Sequence, residues 1–226
     1  GLFYLPPPHH PALAGLVVVG LKKSLKINKF FGKVKSLFMN KRHKLFIAIN
    51  LPRDIKKILT GYEKRWPELP ARWVSEENLH ITLVFLGDLT DVELGEVCVA
   101  VKEVMLKHNS FNISLAKVFY GPPGKIPPKM IWVEGKGSKE LLFLKNDLQK
   151  HLLRIIRFAP EARIFSPHIT LARIREWEWK KIEPEERPNV NETIDLTFSV
   201  ESIEVMESEL KRGGPQYTII ESHKLR

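Results

Sequence analysis

Residues 77–88 read ENLHITLVFLGD, and residues 166–174 read SPHITLARI. The chain therefore carries HITL twice, with its histidines at His80 and His168. From average residue usage, a second chance copy in a chain of this length has odds of about one in a thousand. Both copies read as β-strands. Side chains alternate along a strand, so His80 and Thr82 share one face while Ile81 and Leu83 share the other. His168 and Thr170 stand in the same way against Ile169 and Leu171. The apolar pair can anchor each strand to a core, which turns an imidazole and a hydroxyl from each copy toward a cleft.

Working outward, KLFIAIN at 44–50 reads as a strand, followed after Leu51-Pro52 by a helix over 53–66. Thr90-Asp91-Val92-Glu93 has the capping-box pattern and predicts a helix with Leu94, Val97, Val101 and Val104 on one side. Strands are predicted over 111–120 and 130–135, separated by the proline-rich GPPGKIPPK. After Ser138, the spacing of Leu141, Leu144, Leu148, Leu152 and Ile155 predicts a second amphipathic helix. EWEWKKIEPEERPNVNE reads as irregular, and the chain closes with strands near 194–209 and 216–222. This order, with its hairpin-like neighbours, gives an α+β fold of two similar lobes, each contributing one HITL.

Composition bounds the possibilities. The net charge is +10, but residues 1–38 hold six lysines and no acidic residue, so the body carries only +4. Charge is thus weak support for a nucleic-acid partner. The single cysteine, Cys98, excludes a disulfide framework and suits a reducing compartment such as the cytoplasm. The apolar run LAGLVVVGL is too short to span a bilayer, so no membrane association is expected. Residues 1–38 read as a basic extension outside the domain, disordered or arising from an upstream start, with Met39 as the true beginning and 39–226 as one bilobal domain.

Two imidazoles suit acid–base chemistry near neutrality, one as base and its partner as acid. Opening a cyclic phosphodiester needs both: a base to activate water and an acid to protonate the departing oxygen. Threonine hydroxyls and a cation can hold the non-bridging oxygens as charge builds. Arg173 follows Thr170 by three residues and needs a twist or bulge to reach that face. Neither HITL has a second ligand-type residue two positions along its strand, so no metal or other cofactor is expected there. The other histidines (His9, His10, His43, His108, His151, His223) form no evident cluster, and surface positions suffice for them. Asp88 and Glu161 read as solvated loop residues. Phe46, Trp73, Tyr120, Trp132, Trp177 and Trp179 are candidates to stack on a base.

The fragments KLFIAINLP, RWVSEENLHITLVFLGD, MIWVEG, FSPHITLARI and FSVESIEVMESEL with GGPQYTII, in this order, resemble the 2H phosphoesterase superfamily and its RNA 2′,3′-cyclic phosphodiesterases, also called 2′-5′ RNA ligases. The resemblance covers about residues 44–221. It implies two pseudo-symmetric lobes with antiparallel sheets, flanked by helices, around a central cleft. It implies His80 as proton donor and His168 as proton acceptor, with Thr82 and Thr170 on the phosphate. The implied reaction is metal-independent hydrolysis of a terminal 2′,3′-cyclic phosphate on RNA, or of a small cyclic nucleotide, to a 2′-phosphomonoester. Reversible 2′-5′ ligation at the same site and non-catalytic binding of RNA ends are the alternatives. No phosphate-binding G-x-x-x-x-G-K-[ST] is present, which disfavours joining driven by ATP. A monomer is the default expectation.

Overall fold

The computed structural model describes residues 41–226 apart from residue 162. The expected basic extension and the start at Met39 lie outside the described residues. Strand β1 (His43–Asn50) leads through α1 (Arg53–Thr60) to the short β2 (Ala71–Trp73) and then to β3 (His80–Leu89). Helix α2 (Asp91–Met105) follows, then β4 (Phe111–Gly121), β5 (Met130–Gly135) and helix α3 (Lys139–Leu152). The second HITL opens β6 (His168–Ile174), followed by the single-turn α4 (Glu176–Trp179). Strands β7 (Asn191–Val200), β8 (Ser202–Lys211) and β9 (Gly214–Lys224) complete the chain. Among the described residues, no helix is long and apolar enough to cross a membrane.

The strand order is β7-β4-β5-β6-β3-β1-β8-β9, with β2 paired to β6. All pairings are antiparallel. The fold is α+β, built from two half-sheets of four strands, each with a HITL strand at its inner edge. The halves meet through one bridge pair, Ile81 opposite Ile169. Both of these isoleucines are fully buried, as the alternation along each strand requires. Only Glu201 separates β7, at one end of the order, from β8, next to the other end. The sheet must therefore curve enough to bring β7 close to β8.

Local chemistry explains most boundaries. Thr90 accepts from the Glu93 backbone N–H while Glu93 accepts from the Thr90 backbone N–H, closing the capping box that starts α2. Ser138 caps α3 through the Leu141 N–H. Leu141, Leu144, Leu148 and Leu152 are all fully buried beneath the sheet. The expected stripe ends differently, however. Bonds from Arg154 N–H to His151 O and from Ile155 N–H to Leu152 O tighten the last turn, so Ile155 turns outward and Ile156 is buried instead.

Other departures have equally local causes. The helix expected over 53–66 breaks at Gly61, where the coil narrows to a 3₁₀ turn that buries Tyr62. The single strand expected over 194–209 is two strands divided at Glu201, one in each half-sheet. The segment expected to be irregular holds α4 and buries Trp179 against the Tyr120 ring. Surface positions do not account for the remaining histidines: His43, His108 and His223 are 6%, 7% and 6% exposed. His43 bridges the Glu207 and Asp91 carboxylates through its two ring nitrogens, and His108 meets Asp147. Asp88 lies within β3 rather than in a loop.

Candidate active site

The bridge at Ile81 and Ile169 sets the register of the polar face. One residue to either side, it places His80 opposite Thr170 and Thr82 opposite His168. The two histidines stand at diagonal spacing across the seam. That spacing lets two rings close on one small group between them. All four side chains are part-buried, while Ile81, Leu83, Ile169 and Leu171 point into the core.

Each imidazole is held in the same way. His80 Nδ1 lies 2.7 Å from the carbonyl of Asn78, and His168 Nδ1 lies 2.8 Å from the carbonyl of Ser166. A carbonyl only accepts, so both Nδ1 atoms carry the proton, which leaves both Nε2 atoms for chemistry on the polar face. His80 Nε2 accepts from the Thr82 hydroxyl at 3.0 Å. The surroundings of the rings differ. His80 packs between Phe46 and Tyr217, each with its ring centroid 5.0 Å away. His168 stacks on the Trp132 indole at 3.8 Å. Asn78 serves His80 twice: its carbonyl fixes the ring, and its side-chain amide pairs with Pro215 O and Tyr217 N–H on the β8–β9 hairpin.

Burial pushes the His80 imidazole down to about 4, and the positive neighbours Lys56, His168 and Arg173 push in the same direction. Burial also lowers His168, with Arg163 contributing, against the opposing Ser166 carbonyl and Glu161. Both rings are therefore neutral at pH 7, and the Nε2 lone pair of His80 is held by the Thr82 hydroxyl. A stability consequence follows. Between about pH 4 and about 6.5 the unfolded chain binds a proton at His80 that the folded chain refuses, so stability falls as pH drops through that window. His80→Gln is expected to flatten this slope, read from urea midpoints at about pH 5 and about pH 7. An unchanged slope would show that other groups set it.

Arg173 reaches the polar face because β6 bulges. Trp132 pairs with Thr170 but Ile131 pairs with Ala172, so Leu171 is the extra residue. Leu171 and Ala172 both turn inward, and Arg173 emerges on the side of Thr170, exposed, with its guanidinium donating to Met130 Sδ. Strand β3 bulges at the matching place, with Leu83 as the extra residue. The counterpart of Arg173 is therefore Phe85, which is 63% exposed and 6.4 Å from the Phe46 ring. Sequence reasoning missed Phe85. The signal was present, since Leu83-Val84 and Leu171-Ala172 break the two-residue alternation at the same offset.

The stacking candidates fall into two groups. Phe46 is buried beneath His80, in a small apolar cluster with Ala48, Met206 and Tyr217 on the polar face. Trp132 supports His168 directly. Tyr120 donates its hydroxyl to Pro188 O, and Trp179 is core, so neither is presented to a ligand. Trp177 is exposed on α4 beneath Lys181, and Trp73 pairs with Ala172 on β2. Lys56 was also not foreseen. It is buried on α1 and donates to Glu77 O, and it lines a depression of about 500 Å³ with Asn50, Arg53, Glu76 and Glu77 beside His80.

The two strands bring two imidazoles and two hydroxyls to one face of the sheet, with the Arg173 guanidinium on the same side. The sequence matches the LigT-like phosphoesterases over residues 47–132 and 136–217. The chain belongs to the LigT-like phosphoesterase family. This LigT-like chain is 30% identical over 188 residues to the RNA 2′,3′-cyclic phosphodiesterase of Geobacillus stearothermophilus, a match covering 82% of the chain and 58% of that relative's length. It is 29% identical over 184 residues to the Thermotoga maritima protein of the same name, covering 77% of the chain and 91% of the relative. Among solved structures, TT0787 of Thermus thermophilus matches at TM-score 0.68 and 27% identity over 81% of this chain and 98% of that one. Escherichia coli LigT complexed with 3′-AMP has the same fold, at TM-score 0.66 and 24% identity.

Proposed function

We propose that this site hydrolyses the 2′,3′-cyclic phosphate at an RNA terminus to a 2′-phosphomonoester, without a metal ion. The carrying observation is the pair of Nε2 atoms, each fixed by an Nδ1–carbonyl bond and turned toward the same space. Two relatives at about 30% identity bear the name RNA 2′,3′-cyclic phosphodiesterase, which supports this substrate class. His168 Nε2 takes a proton from water as the water oxygen bonds to phosphorus. The bond from phosphorus to the 3′-oxygen breaks, and His80 Nε2–H delivers its proton to that oxygen. Thr82, Thr170 and Arg173 hold the non-bridging oxygens.

The donor role requires a proton on Nε2, whereas burial holds the His80 imidazole down at about 4. The substrate brings it in: an anion placed beside both rings favours the imidazolium and raises its pKa. The base His168 is already neutral. The base of the terminal nucleotide is placed over Phe85 and Tyr217, the apolar side of the site, with its phosphate toward Arg173. With a 5′-hydroxyl in place of water, His168 Nε2 takes the hydroxyl proton as the 5′-oxygen bonds to phosphorus, and the bond to the 3′-oxygen breaks with a proton from His80, so 2′-5′ ligation needs no second site.

The test is incubation with an oligonucleotide ending in a 2′,3′-cyclic phosphate, in EDTA, with the product separated by isomer. A 2′-phosphate is expected. A 3′-phosphate would exchange the roles of the two histidines, and no turnover with retained binding would leave an RNA-end binder.

A packing contact yields a further expectation. A Cβ at Gly121 would overlap the Trp132 indole that stacks on His168. Gly121→Ala is expected to shift the indole and reduce the hydrolysis rate about tenfold to a hundredfold while the protein stays folded. Rate measured beside a melting curve checks this, and unchanged turnover would show that Trp132 does not position His168.

A further inference from the structure

Strand β9 carries Glu221 and His223 two residues apart, so both side chains leave the same face. That face is not the one bearing His80. His223 pairs with Ile203, which is fully buried in the main core, whereas the intervening Ser222 pairs with Glu204 in the same cross-strand row as Ala48 and Thr82. Cys98, on α2, meets the Glu221–His223 face. Its sulfur, a Glu221 carboxylate oxygen and a His223 ring nitrogen all lie within 4.8 Å of one another.

A hydrogen-bonded thiol explains only part of this cluster. Cys98 bonds to Glu221, which accounts for two of the three groups. His223 is left over. It is 6% exposed, and its Nε2 has no hydrogen-bond partner among the described residues. The nearest carboxylate oxygen, Glu221 Oε1, stands 3.6 Å away, beyond a hydrogen bond. Buried imidazole nitrogens in folded proteins are rarely left without a partner. A separation of 3.6 Å is, however, what two ligands on a tetrahedral ion with bonds of about 2.0–2.3 Å require.

We propose that Cys98, Glu221 and His223 form a binding site for a divalent cation of the Zn²⁺ class, pinning α2 to the edge strand β9. The ligand set decides the class: one sulfur, one nitrogen and one oxygen suit Zn²⁺ or Co²⁺, and a thiolate discriminates against Mg²⁺ and Ca²⁺. Water completes the tetrahedron on the side where Glu221, 47% exposed, opens to solvent. The Cys98 thiol gives up one proton to the buffer on binding, so the thiolate sulfur is the donor. The site is structural. It lies on the far face of the sheet from the two HITL histidines, so hydrolysis in chelator and cation binding are separate properties.

Chelator-stripped full-length protein titrated with Co²⁺ tests this directly. One equivalent is expected to bind with a thiolate-to-cobalt charge-transfer band, and Zn²⁺ is expected to displace it. At a hundredfold excess over Kd, Zn²⁺ is expected to raise Tm by about 5–10 °C, while Mg²⁺ leaves it unchanged. The near-isosteric Cys98→Ser is expected to abolish the band and the Zn²⁺ shift, Glu221→Gln to weaken both, and a His80→Ala/His168→Ala double variant to keep both. Absence of the band in the wild type, its persistence in Cys98→Ser, or its loss in the double variant would overturn the proposal. None of these readouts depends on hydrolysis.

Discussion

Replacing His168 by Ala is expected to lower the rate of cyclic-phosphate hydrolysis by about a hundredfold to ten-thousandfold, the range over which a positioned base contributes. His80→Ala is expected to fall in the same range. The double variant should be scarcely slower than either single one, because in the proposed mechanism acid and base act in one step and their losses do not add. The geometry sharpens this. Burial favours the neutral form of His168 and its Nδ1–carbonyl bond leaves Nε2 as the base, so in the proposed mechanism its loss should act on kcat with little change in KM. His80 also fills space between Phe46 and Tyr217, so its removal should cost stability as well. A melting curve beside each rate separates the two effects. Full turnover in His168→Ala, with the fold intact, would remove the acid–base account.

Arg173→Ala is the second large effect. A guanidinium facing developing negative charge in a site from which water is partly excluded is worth about a hundredfold to a thousandfold in rate. Arg173 is suited to this because it is exposed and its guanidinium donates to no more than the weak acceptor Met130 Sδ among the described residues. Arg173→Lys should recover a part, since a point charge cannot reproduce the two-pronged contact to phosphate oxygens. Phe85 occupies the matching position in the other half, and Phe85→Ala should raise KM while sparing kcat. This contrast makes the pair informative: one bulge position would serve charge and the other the base. Equal effects of Arg173→Ala and Phe85→Ala on KM alone would show that Arg173 holds substrate without stabilising the transition state.

The legible parts of the sequence were those with strong local periodicity. HITLARI and MIWVEG are strands over the expected residues, and the capping box and leucine stripe mark real helices. Two features depended on contacts that no local pattern encodes. Strand β2 is three residues long and exists only through its pairing with β6. The break at Glu201 separates two strands of similar composition that belong to different half-sheets. At the site, HITL marked the four central side chains, whereas Phe85 required noticing that both bulges fall at the same offset. His223 was unreadable as part of a cluster because Cys98 lies 125 positions away and meets it only when α2 packs on β9.

The route of the chain through the two half-sheets also has a temporal side. Strands β4 to β7 are contiguous, so the half carrying His168 has all its strands once residue 200 has emerged from the ribosome. The half carrying His80 does not. Strands β1 and β3 come early, yet their outer partners β8 and β9, with Tyr217 and the hairpin that Asn78 grips, are made last. Nascent chains halted shortly after residue 200 should thus hold one finished half beside a waiting one, with the exposed flank of β1 open to chaperones or to a neighbouring chain.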